Sequence, residues 1–168
     1  MDIIKVGFAG DAGALSTIIK DVTGGEWCNI SHAYLYDFMG GVYEAMGVKL
    51  DNDLYAGVWV HPNSSRDITD KSLNRLVSIE VPNMQAALEK AQELLGTPYG
   101  YTDCVSAAVF LATGEQIGDG EATCMCSETV TRILRAGGVS ILPDLKADVI
   151  NPAMLYKELL KIGGKLEC

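Results

Sequence analysis

The chain has only two histidines, His32 and His61, and no apolar run approaching the ~20 residues needed to cross a bilayer. Positive charge is also scarce: 13 Lys and Arg stand against 22 Asp and Glu, a formal net charge of -9. That balance argues against nucleic acid or an anionic membrane as the main partner, because neither finds the clustered cations it needs. No run of Lys or Arg offers a local exception. The opening Met1-Asp2-Ile3-Ile4-Lys5-Val6 lacks the charged-then-apolar organisation of a secretory signal. The cysteines number five, which is odd, and without such a signal they read as reduced thiols in a cytoplasmic setting. The Gly-x-x-Gly of Gly10 to Gly13 lacks the Lys-Ser/Thr of a phosphate loop and reads as a turn. Internal repeats, low-complexity tracts and linkers are missing as well.

What is present suits one globular domain over residues 1–168, with hydrophobic residues at 48% and charged residues at 21%. Ile3 to Phe8 reads as a short strand, and Ala14 to Lys20 as a helix ended by Thr23-Gly24-Gly25. Four strand candidates follow: Ser31 to Tyr36, Val42 to Ala45 after a turn at Gly40-Gly41, Ala56 to His61, and Arg75 to Val81. Short connections between them, including the polar loop Pro62 to Asp67, predict an antiparallel meander rather than β-α-β alternation.

The second half turns helical. Met84, Ala87, Leu88, Ala91 and Leu95 recur at helical spacing between a capping Asn83 and the stop Gly96. Tyr101 to Ala112 is a second helix, after the turn Gly96 to Gly100. A third starts at Cys126 and carries Val130, Ile133 and Leu134 on one face before Gly137-Gly138. The small polar residues around its start are candidate caps, and Glu128 falls in the first turn, where an anion is favoured. A fourth helix runs from Pro152 to about Ile162, with proline at its first position. The expected class is therefore α+β: an antiparallel sheet packed by helices.

The third helix carries the chemistry. Cys126 at a helix N-terminus meets unpaired N–H groups and the positive end of the dipole, both of which favour the thiolate that attacks a carbonyl carbon. The bland alternative is a small buried hydrophobe. A thiol nucleophile needs a base, and the base needs a third group to fix its tautomer. His32, opening an apolar strand, and Glu44, twelve positions later on the next strand, supply those roles. A tight turn at Gly40-Gly41 would pair Glu44 with Asp37 and turn it to the face opposite His32. A turn nearer Phe38 or a bulge would bring the two together; otherwise another acceptor orients His32. His61, directly before Pro62, reads as a solvated strand end. Cys124, two residues ahead of the helix start, reads as an accessory thiol. With the distant histidines, Cys124-x-Cys126 makes a poor zinc set, because structural zinc uses two close ligand pairs. Cys28 and Cys104 read as core, and Cys168 has no evident role. Tyr99-Gly100-Tyr101 is either turn packing or a groove lining.

Ser31-His32, Tyr43-Glu44-Ala45 and Cys126-Ser127-Glu128 at a helix start together resemble the circularly permuted branch of the NlpC/P60 papain-like superfamily. YiiX-like and YebB-like proteins belong to that branch, as does, more distantly, the lecithin retinol acyltransferase family. In it the histidine precedes the cysteine. The resemblance spans nearly the whole chain, to the closing Asn151-Pro152 helix. It implies a permuted papain-like fold, with Cys126 as nucleophile, His32 as base, Glu44 as third member and the main-chain N–H of Cys126 as an oxyanion donor. It implies a cysteine hydrolase or transferase, of the cysteine peptidase kind, with no cofactor. Its substrate would be a peptide, a murein stem peptide or a lipid-like acyl group, as in small bacterial or phage members. The rival expectation is a catalytically silent papain-like module serving as a binding or structural component, for example in a phage particle. A third, a redox or metal module on Cys124 and Cys126, predicts metal content or a disulfide.

Overall fold

The computed structural model describes residues 2–10, 30–66, 68–69, 74–116 and 122–167. The helix expected over 14–20, the turn at 10–13, and Cys28 and Cys168 lie outside the described residues. Among the described residues, five strands precede the helices: β1 (Asp2–Ala9), β2 (His32–Phe38), β3 (Gly41–Ala45), β4 (Val58–His61) and β5 (Asn74–Val81). They are followed by α1 (Met84–Leu94), α2 (Tyr101–Thr113), α3 (Cys126–Ala136) and α4 (Pro152–Lys161), and then by the two-residue β6 (Lys165–Leu166). All pairings are antiparallel and the sheet order is β4-β3-β2-β1-β5-β6. The fold is thus mixed α+β, an antiparallel sheet packed by helices.

The expected meander holds for β2, β3 and β4, whereas β1 lies inside the sheet between β2 and β5. The central position of β1 suits its composition. Ile4, Val6 and Phe8 alternate onto the main core, and all three are buried. Opposite them, Gly7 leaves room for the Tyr34 ring, whose atoms stand 2.1 Å from where a Cβ would sit. Tyr34 joins Ala9 and Val42 in a second, smaller apolar cluster.

The β2–β3 hairpin departs from the simple expectation. Phe38 pairs with Gly41, so the turn is Met39-Gly40, one residue earlier than Gly40-Gly41. Both turn residues have positive φ, 52° and 84°, as a twist-matched two-residue hairpin turn requires. The register then slips between Phe38 and Leu35, where Asp37 also sits at φ 53°. Aspartate tolerates that left-handed conformation better than most residues, which makes it a suitable bulge position. Beyond the slip, Leu35 pairs with Tyr43, so Glu44 shares the parity of Tyr34 and His32.

The helix caps follow local chemistry. Asn83 and Asn151 accept from the N–H groups of Ala86 and Met154, at 3.1 and 2.9 Å. The start of α3 corrects an expectation: its cap position is Met125, not a small polar residue. Glu128 compensates by turning back to accept the Met125 N–H at 3.1 Å, and it also pairs with Arg132. Val130, Ile133 and Leu134 are fully buried where α3 lies on β2 and β3, each contributing about 1.5–3 kcal/mol. That packing holds the first residue of α3 against the start of β2.

Among the described residues, no helix is long and apolar enough to cross a membrane.

Candidate active site

His32 is the first residue of β2 and Cys126 the first of α3, so the two side chains meet where a strand and a helix both begin. The imidazole hydrogen-bonds Glu44 and lies close enough to Cys126 for the two to be electrostatically coupled. Its Nε2 lies 2.7 Å from Glu44 Oε2. The hairpin slip makes this contact with Glu44 feasible. With the Gly40-Gly41 turn, Glu44 would have faced away; with the turn at Met39-Gly40 and the bulge, it faces the ring.

The electrostatics of this line favour an ion pair. Burial is the largest influence on the His32 imidazole and works to lower its pKa. Charge and hydrogen bonding from Cys126 and Glu44 outweigh it and raise the value to about 9. At Cys126, burial works to raise the pKa, but the charge and hydrogen bond of His32 pull it below the ordinary thiol value. The backbone N–H groups of Ala33 and Ser127, hydrogen-bonded to the thiol group, act in the same direction. The Ser127 contribution comes from the first turn of α3, where N–H groups have no acceptor within the helix.

Glu44 is more than the third member of a line. Its side chain is 1% exposed, and three groups converge on it. Besides His32, His61 Nδ1 stands 3.0 Å from Oε1, and Arg66 reaches Oε2 with a terminal nitrogen at 2.6 Å and Nε at 3.2 Å. Burial works to raise the Glu44 pKa, but the bonds from His32 and His61 and the Arg66 charge hold it well below the usual carboxylate range. Arg66 also lies over the Tyr34 ring at 5.2 Å, and that ring is stacked near His32, centroids 6.0 Å apart. On the far side, His61 Nε2 lies 3.1 Å from Asp53 Oδ1. The expectation of a solvated His61 is therefore overturned: it is buried, and its pKa is raised, chiefly by the bond to Glu44 against the cost of burial.

If every member is ionised, Cys126, Glu44 and Asp53 balance His32, His61 and Arg66, and the buried set is neutral as a whole. Neutrality and near-complete pairing are what make such burial tolerable, because an unmatched buried charge costs several kcal/mol.

Three members of this set escaped sequence reasoning. Pro62 directed attention to the end of β4, although His61 pairs with Val42 of the small cluster and so points inward. Asp53 and Arg66 sit in irregular segments, where no periodicity marks a buried face. Of the remaining residues singled out from the sequence, Cys124 is buried and its backbone bridges that of Tyr99. Cys104 is half-buried, with its sulfur 3.8 Å from the Tyr99 hydroxyl. Tyr101 is exposed and donates to the Gly47 carbonyl at 2.5 Å. Among the described residues, no trio of His, Cys, Asp or Glu converges with the geometry of a metal site.

No protein-family model matches the chain, and no curated protein matches it either.

Proposed function

We propose that the protein is a cysteine hydrolase or acyltransferase of the permuted papain-like kind, acting at an amide or ester carbonyl. One observation carries this reading: buried His32 lies between Cys126, to which it is electrostatically coupled, and Glu44, whose Oε2 its Nε2 meets at 2.7 Å, the order that nucleophilic thiol chemistry requires. The Cys126 thiolate attacks the carbonyl carbon and forms a C–S bond. As the tetrahedral oxyanion collapses, the C–N or C–O bond breaks and the His32 imidazolium gives its proton to the leaving group. Water or another acceptor then attacks the thioester, with neutral His32 taking its proton, and the thiolate departs. The Cys126 N–H, in the first turn of α3, is the candidate donor to the oxyanion. Glu44 keeps the ring turned toward the sulfur. The substrate class follows the family resemblance alone: a peptide, a murein stem peptide or an acyl lipid.

Alkylation of the folded protein by limiting iodoacetamide across pH, mapped by mass spectrometry, tests this. Cys126 is only 2% exposed, so its rate reflects opening of the cover as well as ionisation. The expected result is labelling of Cys126 ahead of the other thiols, with a midpoint well below ~8.5. In His32→Ala that midpoint returns to the ordinary value or above, and at pH 6.5 the thiolate falls to about 1% of the total. Inert Cys126 beside labelled Cys124 or Cys168 overturns the catalytic reading in favour of a silent binding module.

A further inference from the structure

Both ring nitrogens of His61 meet carboxylates: Nδ1 stands 3.0 Å from Glu44 Oε1, and Nε2 stands 3.1 and 3.3 Å from the two oxygens of Asp53. An ionised carboxylate can only accept, so each contact needs an N–H on the imidazole, and a neutral ring has just one. We propose that His61 is a standing imidazolium and a positioning residue, which with Arg66 clamps Glu44 in the orientation that serves His32, and that Asp53 keeps it charged. The catalytic part of this statement rests on the hydrolase reading above; the charge state does not.

The geometry around the ring supports the role. His61 comes from β4, Glu44 from β3, Asp53 from the loop between them, Arg66 from beyond the short turn Asn63–Ser65, and His32 from β2. Those are the charged groups of the set, and Glu44 is the only one that touches three others. Its two oxygens are divided: Oε1 goes to His61, while Oε2 is shared by His32 and Arg66. A carboxylate tied at both oxygens cannot swing away from His32. Nor does it readily take the His32 proton, because two further cations already draw on its charge. The ring nitrogens of His61 are taken by Glu44 and Asp53, so it acts on His32 through Glu44.

Nitrogen-15 NMR of the imidazole rings in the intact protein reads the charge directly. Both His61 ring nitrogens are expected to stay protonated as the pH rises past the ordinary midpoint near 6.5. The isosteric Asp53→Asn variant leaves Cys126, His32 and Glu44 in place and lowers that midpoint by at least about one unit. A native His61 that titrates at or below 6.5 overturns the proposal, whatever the enzyme does.

The positioning role is read on His61→Gln, which keeps one donor but no charge. In a hydrolysis assay, kcat is expected to fall about tenfold with KM unchanged, and the alkaline limb of the pH profile moves. Native turnover and an unmoved profile in a folded His61→Gln overturn the role. Should His61→Gln fail to fold, Asp53→Asn carries the same comparison. If native Cys126 shows no lowered midpoint, the hydrolase reading falls while the NMR result stands by itself.

Discussion

Replacing Glu44 by Gln removes the anion on which His32, His61 and Arg66 converge while keeping its shape. The carboxylate is 1% exposed and Arg66 is 11% exposed, so solvent does little to screen the loss. Breaking a buried pair from one side costs about 3–5 kcal/mol, because the partner charges stay behind unmatched. For a domain of this size, each kcal/mol moves Tm by about 2–4 °C, so a drop of roughly 6–20 °C is expected. The pH dependence has a definite sign. Glu44 has a depressed pKa, so its contribution is present above the ordinary carboxylate value and fades as pH falls below it. His32 has a raised pKa, so its contribution is complete below about 6.5 and is lost as pH rises through about 9. The gap between native protein and variant should therefore be widest between about pH 5 and 6.5 and narrow on both sides. Denaturant melts at pH 3.5, 6 and 9.5 measure it. A gap below about 1 kcal/mol at pH 6, or one that is flat with pH, would refute the buried-hub reasoning.

Three further outcomes follow from the same geometry. Hydrolysis needs the His32 proton for the leaving group, so turnover should decline above about pH 9, whereas alkylation of Cys126 should not, since the thiolate persists there; a shared decline in both assays would contradict this. Gly7→Ala forces the buried Tyr34 ring away from β1 and, with it, the support for Arg66 and His32. It should cost about 1–3 kcal/mol and raise the midpoint of Cys126 alkylation, although Gly7 touches none of the reacting groups. Ile133→Ala empties a fully buried position on α3 and should cost about 2–5 kcal/mol by urea melt, with the alkylation midpoint at Cys126 unchanged.

The fold was readable where periodicity and punctuation agree. Ile4, Val6 and Phe8 alternate, Asn83 and Asn151 cap, and Gly137 ends α3, so those elements sit close to where the sequence sets them. The two residues of β6 bury nothing and leave no pattern to read. The hairpin turn was displaced because Gly40-Gly41 is the stronger local signal, yet positive φ at Met39 is stabilised only by the paired strands on either side. One residue of slip decided whether Glu44 faced His32, and a bulge of that kind depends on tertiary pairing rather than on composition. The outer members of the charge set were hidden for a related reason. His61, Asp53 and Arg66 come from three separate segments; buried Glu44 joins His61 to Arg66, and Asp53 joins the set only through His61.

The place of β1 inside the sheet has a consequence for biosynthesis. Asp2 pairs with Val81, so β1 leaves the ribosome well ahead of β5 and waits with that edge bare until β5 emerges. That bare edge is a period of exposure to misassembly and to chaperones. The order also sets when the candidate site can assemble. His32 and Glu44 are synthesised long before Cys126, and α3 can lie down only on strands that already exist. On the hydrolase reading, a nascent chain therefore carries the proposed base and its partner before the proposed nucleophile, and the thiol meets them only as its helix docks.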